Sequence, residues 1–568
     1  MRPPDERAGA APPGAGALRA AVLRRPAALP LLVALVLLLP GLVQFDDLDT
    51  GGQSQQGLYV VDVLVNGNVL VPSEESGALT SKPPLYTWAA ALLSLPAGRV
   101  TSFTLKLPAA LAGLATVWAT ARLGVLAGGP LLGVLGGLVL ATGFHFLRLA
   151  TVARPDPFLA LFVALAFLEF ARGASGEEPK KRFLRAWIWL GLSSLSKGPV
   201  GVGVFLAGVL PYLAFRRDRE TFRELRLFRG LAIVLAMTLA WFVPAAIRGG
   251  EAYVDRLLFF EMIDRAAGIG TGSARRFPFY MYVPYLASRF LPYFLLAPAA
   301  IHALASRRGD APRALGVLAA WFAGGFVLFS LFEGKRPNYL MPLYPAAAVL
   351  VALPFAAEAP SLFARRTLLA VSGALVAVAA LALAALPFLG AIREAVGPKI
   401  EDSYRLAVEL RLPSAALAVS AGSLAAVAFA LARRGRIAAA FASFAAATGA
   451  AIFVFSVFGV PAMVDAETDS HALASAVRGF ERPGDTLLFF GANKSSIHFY
   501  LHRHDAPASA ERVREALAAA AAGQGGRVLV LVGEKKLAEF ESLFPECVSL
   551  HASEGRRGFP RHVLFAAP

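Results

Sequence analysis

Ser81-Lys82-Pro83-Pro84-Leu85-Tyr86-Thr87-Trp88 marks the point where a polar stretch holding Asp46, Asp47 and Asp49 gives way to an apolar body. A cation, a proline brake and a carboxylate-rich loop therefore fall together at one edge of the apolar sequence. Outward from this stretch, runs of about twenty apolar residues recur over roughly the first 460 positions, each long enough to cross a hydrocarbon core. The whole chain of 568 residues is 57% hydrophobic. The expected fold class is an α-helical polytopic membrane protein.

The net charge of +16 does not point to nucleic acid, because Lys and Arg concentrate in the short turns between apolar runs, as the positive-inside rule requires. Cys547 is the single cysteine, which excludes an intrachain disulfide and an exterior domain built on disulfides. Residues 1–27 read as a disordered cytoplasmic N-terminus. The apolar run after Arg24 and Arg25 could close a cleaved signal peptide, but it is long and lacks a small-residue cleavage site before Asp46, so an uncleaved signal anchor is expected.

Starting in the cytoplasm, hydrophobic length and Lys/Arg bias give a first span at 28–44 and an outer loop at 45–104. Within that loop, 85–97 is too short to span and reads as a re-entrant or interfacial helix. Spans follow near 105–123, 126–146, 157–172, 186–196, 198–215, 229–247, 286–305, 314–332, 339–357, 367–390, 413–432 and 437–461, about thirteen in all. This topology puts Lys180-Lys181-Arg182, Arg307-Arg308, Arg365-Arg366 and Arg433-Arg434 inside, where the rule wants them. The transmembrane unit is expected over 28–463. Residues 464–568 read as a small outer α/β domain, with strands at Asp485 to Phe490 and at Arg527 to Val532 around an Ala-rich helix at 508–522, a βαβ-type order.

Ionisable residues at membrane depth are costly, which makes them functional candidates. In this topology Asp46, Asp47, Asp49 and Lys82, then Arg154 and Asp156, then Glu261, Arg265, Arg275 and Arg276, then Lys335, Arg336 and Tyr339 share the outer side, with Lys197 as a fifth group. Lys82, Arg154 and Arg336 each precede a proline where a helix would begin. Free backbone N–H groups and a positive helix end then add to the side-chain charge and make a phosphate site. Each cation singly also fits a helix-end residue whose head reaches water. The aspartates suit turns and caps equally, or a carboxylate that takes a proton from an attacking hydroxyl. Gly491-Ala492-Asn493-Lys494-Ser495 lacks the glycine spacing of a phosphate loop, and His498, His502 and His504 lack acidic or cysteine partners for a metal.

The ordered set Lys-Pro-Pro-Leu-Tyr-x-Trp at 82–88, Leu105-Lys106-Leu107-Pro108, Ala153-Arg154-x-Asp156, Ser196-Lys197-Gly198-Pro199 and Lys335-Arg336-Pro337-x-Tyr339 resembles the bacterial aminoarabinose-transferase-like and protein-mannosyltransferase-like GT-C membrane glycosyltransferases. The resemblance runs over about residues 28–360. It implies transfer of a sugar from a polyprenyl phosphate donor to a hydroxyl acceptor (glycolipid, lipid A, polysaccharide or protein) at the periplasmic face of the bacterial inner membrane. Lys82, Arg336 and Tyr339 inherit the carrier-phosphate role. Tyr86, Arg154, Lys197, Arg265, Arg275 and Lys335 complete the expected phosphate-binding set. Where the family commonly carries Asp-Glu, this chain has Gly52 and Gln53, so the catalytic carboxylates expected here are Asp49 first, then Asp47 and Asp46, with Asp156 supporting the site. Family members with a metal use a Glu before Lys-Pro-Pro and a later His pair. Ser81 and the His-free stretch Gly268 to Arg276 imply no zinc site and no cofactor. Two other readings stay open: a transporter or flippase of a lipid-linked sugar, and a degenerate transferase kept as a scaffold.

Overall fold

The computed structural model describes residues 15–43, 48, 52–80, 82–255, 277–307, 312–388, 411–459, 470–492, 494–524, 526–553 and 561–567. The first half is α1 (Ala15–Arg24), α2 (Ala28–Val43), α3 (Gln53–Asn66), α4 (Leu85–Ser94), α5 (Ser102–Gly128), α6 (Pro130–Ala141), α7 (Phe144–Ala150), α8 (Asp156–Ala174), α9 (Pro179–Lys197), α10 (Val200–Arg216), α11 (Arg219–Leu225) and α12 (Leu227–Asp255). The expected disorder up to residue 27 gives way to helix from Ala15, where an Ala- and Leu-rich segment costs little to order as helix.

Among the described residues, eight helices are long and apolar enough to cross a membrane, or nine if the pair α6 and α7, bent by 67°, counts as one span. The protein is therefore a multi-helix membrane protein, and by length and composition the count stops short of thirteen. The difference lies in particular elements. Ala28–Val43, Val200–Arg216 and Tyr293–Ala305 are apolar but shorter, and α9 carries Lys180, Lys181, Arg182 and Arg185. The expected span at 186–196 also begins earlier, at Pro179, because Arg182 reaches back across the turn to Glu169 at 3.0 Å and so extends the helix through its charges. The expected short helix after Lys-Pro-Pro is present as α4, continued by a 3-10 turn at Leu95–Ala97.

Close backbone approach sets the bundle. A Cβ at Gly124 would stand 2.8 Å from the Gly133 Cα, so only glycine lets α5 and α6 meet there. At the end of the helices away from Asp156, basic side chains cap carbonyls. Arg313 donates to the Ala174 carbonyl at 2.6 Å and to Asp218 at 3.2 Å, and Arg365 donates to the Ala432 carbonyl at 3.0 Å. At the other end, α5 starts on a reciprocal cap: the Thr104 amide donates to Thr101 Oγ1 at 3.1 Å and the Thr101 amide to Thr104 Oγ1 at 2.9 Å.

The C-terminal unit follows the expected βαβ order and adds a hairpin. β1 (Thr486–Phe490) runs parallel to β2 (Val528–Gly533), with Ala510–Ala521 as the crossover helix. β3 (Val548–Ala552) and β4 (His562–Ala566) close the sheet in the order β1-β2-β4-β3, both contacts of β4 being antiparallel. β2 is buried along its whole length, as a central strand covered on both faces must be. The unit is not a tethered appendage. Ile497, Phe499, Phe489 and Leu531 share one hydrophobic core with Leu58, Val61, Tyr86 and Leu105 of the outer loop and α5.

Candidate functional site

The site is built where α3, α4, α8 and α9 bring their ends together. Gly52, at φ 73°, turns the chain into α3 in a left-handed conformation that suits glycine. Gln53 opens the helix fully buried, and its Oε1 accepts from the Ala153 amide at 2.9 Å. Gln56, one turn on, donates to Thr87 Oγ1 of α4 at 2.8 Å. α3 thus ties the segment before Asp156 to the helix that follows Lys82-Pro83-Pro84. Asp62 anchors the far end of α3 with bonds from Asn66 Nδ2 at 2.7 Å and the Ser73 amide at 2.7 Å.

Each expected cation stands before a helix start. Lys82 precedes α4, whose N-cap is Pro84, and Arg154 precedes α8, whose N-cap is Pro155. Arg336 is itself the N-cap of a 3-10 helix over Pro337–Leu343. Lys197 ends α9, and Gly198 at φ 76° reverses the chain into α10.

Asp156 is the hub. It is 4% exposed, and its Oδ1 accepts from Lys197 Nζ at 2.5 Å. Arg154 and Lys82 add positive charge around the same carboxylate. The Lys197 ammonium also lies 5.2 Å from the centre of the Tyr339 ring, within cation–π range. The carboxylate holds Lys197 extended, the Tyr339 ring faces the same ammonium, and Arg336 is exposed on the same turn as Tyr339. Cations gathered around one buried carboxylate suit a phosphate oxyanion, which binds them without a new positive group.

Three expected residues have partners inside the fold. Asp156, expected to support the site, has its Oδ1 committed to Lys197. Tyr86, expected on the carrier phosphate, is 1% exposed; its hydroxyl donates to the Leu105 carbonyl at 2.6 Å and its ring meets Phe158 edge-on at 5.6 Å. Lys335, expected beside Arg336, is buried, donating to the Phe277 carbonyl at 3.3 Å and to the Phe332 carbonyl at the end of the helix Arg313–Leu331. A helix C-terminus is a natural partner for an ammonium, which explains the inward turn. Asp46, Asp47, Asp49, Arg265 and Arg275 lie outside the described residues.

Two residues were missed by sequence reasoning. Gln53 carries no charge and gave no signal except its place in the motif count. His145, in α7, is buried near the Pro337 backbone, Asp156 and Arg289. As a polar residue inside an apolar run, it met the same criterion that picked out the cations. Among the described residues, no three His, Cys, Asp or Glu side chains are grouped to hold a metal ion.

Comparison with known proteins agrees with this arrangement. Residues 81–243 match the dolichyl-phosphate-mannose-protein mannosyltransferase family. An undecaprenyl phosphate-alpha-4-amino-4-deoxy-L-arabinose arabinosyl transferase of Enterobacter sp. (strain 638) is 26% identical over 300 residues, 51% of this chain and 52% of that protein. An uncharacterized protein of Aquifex aeolicus (strain VF5) is 29% identical over 300 residues, 51% of this chain and 56% of its own length. The chain thus spans about half the length of the curated relatives it matches. The fold extends further: the crystal structure of ArnT from Cupriavidus metallidurans bound to undecaprenyl phosphate superposes with a TM-score of 0.71 at 19% identity, covering 94% of this chain and 97% of that one. The matched mannosyltransferase segment thus takes in the Lys-Pro-Pro, Arg154-x-Asp156 and Lys197-Gly-Pro stretches, and the chain shares the fold of ArnT almost end to end.

Proposed function

We propose that this protein transfers a sugar from a polyprenyl phosphate carrier to a hydroxyl-bearing acceptor. The observation that carries the reading is the convergence of three separated motifs on the Arg154-x-Asp156 segment: Lys82, Lys197 and, through Lys197, Tyr339. The carrier is the one named for the Cupriavidus metallidurans structure and in the names of the arabinosyl transferase relatives.

In this reading Lys82, Arg154 and Lys197 hold the carrier phosphate, with Arg336 and Tyr339 at its rim. As the bond between the anomeric carbon and the phosphate oxygen breaks, charge grows on that oxygen, and fixed cations in a water-poor site stabilise it more than water would. The acceptor hydroxyl attacks from the opposite side, so a single displacement inverts the anomeric configuration. Arg265 and Arg275 are proposed to add to the positive charge on the phosphate. The acceptor class is a glycolipid such as lipid A, a polysaccharide or a protein. The enzyme is placed in the bacterial inner membrane with its N-terminus in the cytoplasm and the α/β unit in the periplasm. It takes the carrier from the bilayer and needs no nucleotide sugar.

The test compares polyprenyl phosphate sugars and surface glycans by mass spectrometry in a strain lacking the gene, restored with the native or the Lys82→Ala form. One carrier-linked sugar should accumulate while one glycan loses the same mass, and only the native gene should reverse both. Full restoration by a folded Lys82→Ala protein would remove the reading. An unchanged glycan with the carrier species trapped on one leaflet would favour a flippase.

A further inference from the structure

The reaction needs a group to take the acceptor's proton, and the described carboxylates near α3 differ in what holds them and in how far they are buried. Asp62 is fully buried and takes bonds from Asn66, Asn68 and Ser73. Glu75 is 5% exposed and turned toward the α/β unit, where Ser495 Oγ donates to it at 3.0 Å. Asp156 is held by Lys197. Glu74 differs. It sits in a tight hairpin closed by the Ser73–Leu79 bridge, with its amide on the Ala78 carbonyl at 3.1 Å, and it is only half-buried.

The hairpin points Glu74 at the first turn of α3. Its Oε2 accepts from Gln55 Nε2, and its Oε1 accepts from Ser76 Oγ at 3.2 Å. Gln55 in turn leans over the helix start: its Oε1 lies 3.8 Å from where a Cβ at Gly52 would stand. The Gln55 amide therefore links the space beside Gly52 to the Glu74 carboxylate. The same turn carries Gln53, bonded to the Ala153 amide next to Arg154. One helical turn thus holds the phosphate-site loop by one glutamine and a carboxylate by another, with their Cα atoms roughly 5–6 Å apart.

We infer that Glu74 is the proton acceptor for the acceptor hydroxyl. The inference rests on the glycosyl-transfer reading above. As the acceptor oxygen bonds to the anomeric carbon, its proton passes to the Glu74 carboxylate, the carbon–phosphate oxygen bond breaks, and the carrier phosphate leaves with the bonding electrons. Glu74 then returns the proton to water on its exposed side. Gln55 is the positioning residue that fixes the carboxylate.

The experiment uses the purified full-length protein in bilayer discs with polyprenyl phosphate sugar and an acceptor glycolipid extract, alongside Glu74→Gln, Glu74→Asp, Gln55→Ala, Asp49→Asn and Lys82→Ala. Glu74→Gln should lower kcat by about 10²–10⁴-fold, the usual worth of a general base. Carrier-phosphate affinity should stay unchanged, and the rise of rate with pH should disappear. Glu74→Asp should recover part of the rate. Gln55→Ala keeps the carboxylate and should cost about tenfold in kcat, the scale of one charge-assisted bond; it also serves if Glu74→Gln misfolds. Native kcat in folded Glu74→Gln, or in Gln55→Ala where Glu74→Gln misfolds, overturns the inference, as does a loss matched by lost carrier affinity. An inactive Asp49→Asn beside an active Glu74→Gln moves the base to the first loop. Lys82→Ala separates the two levels: if it is inactive while Glu74→Gln is native-like, only the base assignment falls, whereas full activity in Lys82→Ala removes the transferase reading itself.

Discussion

Asp156 shows how one buried carboxylate can gather several cations. It is buried at the first position of α8, where the positive helix end favours a negative side chain, and it spends that charge on Lys197. Removing one partner of a buried pair leaves the other without compensation, typically at a cost of 3–5 kcal/mol. Asp156→Asn is therefore expected to lower the thermal unfolding temperature and reduce transfer at least tenfold, because Lys197 loses its fixed position over Tyr339. Lys197→Met, which removes the charge with the partner still able to meet Lys82 and Arg154, should destabilise less. Thermal unfolding of both variants in detergent, read beside transfer rates, checks the order. Sequence reasoning had this pair in hand as two separate motifs, yet nothing in the spacing of residues 156 and 197 says that they touch.

At the scale of elements, α3 is the organiser. Its N-terminal turn holds the segment before Asp156 through Gln53 and α4 through Gln56, and its far side receives the α/β unit through Phe499, which packs where a Cβ at Gly57 would come within 2.5 Å of the ring. Only glycine leaves room for that ring. Phe499 is 2% exposed, so Phe499→Ala should cost about 3–5 kcal/mol of local stability by removing a buried aromatic and leaving a cavity. Hydrogen exchange should show faster opening of Ser495–Leu501 and of α3 together, with the spans unchanged. Faster exchange in the α/β unit alone would mean that α3 does not depend on the docking. The outer loop could be read from sequence as acidic and functional, but α3 could not, because a helix built on Gln, Gly and a buried Asp owes its stability to tertiary partners rather than to propensity.

For the whole molecule, the membrane half and the α/β half meet in a shared core, so the environment of one is felt by the other. His498 lies in that contact, fully buried with its ring 4.0 Å from Phe489, and burial pushes its pKa down to about 4. A folded-state pKa below the ordinary histidine value means that the neutral ring favours the docked fold. That contribution is complete above about pH 6.5 and is lost as pH falls through about 4, at about 1.4 kcal/mol per pH unit of difference. Thermal unfolding of the α/β unit should accordingly drop between pH 6.5 and 4, and His498→Leu should flatten that slope. An unchanged slope in the variant would assign the acid sensitivity to another group.

The sequence by itself determined the membrane class, most span positions, the βαβ start of the C-terminal unit and the identity of the motif cations. Each of these rests on local physics: the hydrocarbon thickness fixes a length of apolar chain, alternation fixes strands, and an ionisable group at membrane depth needs a reason to be there. Only the tertiary structure decided which cations share a carboxylate, that Tyr86 and Lys335 turn to backbone carbonyls, and that Gln55 carries Glu74 to the start of α3. Those outcomes depend on contacts between residues far apart in the chain, where burial favours pairing of polar atoms and the partner is set by packing rather than by sequence distance.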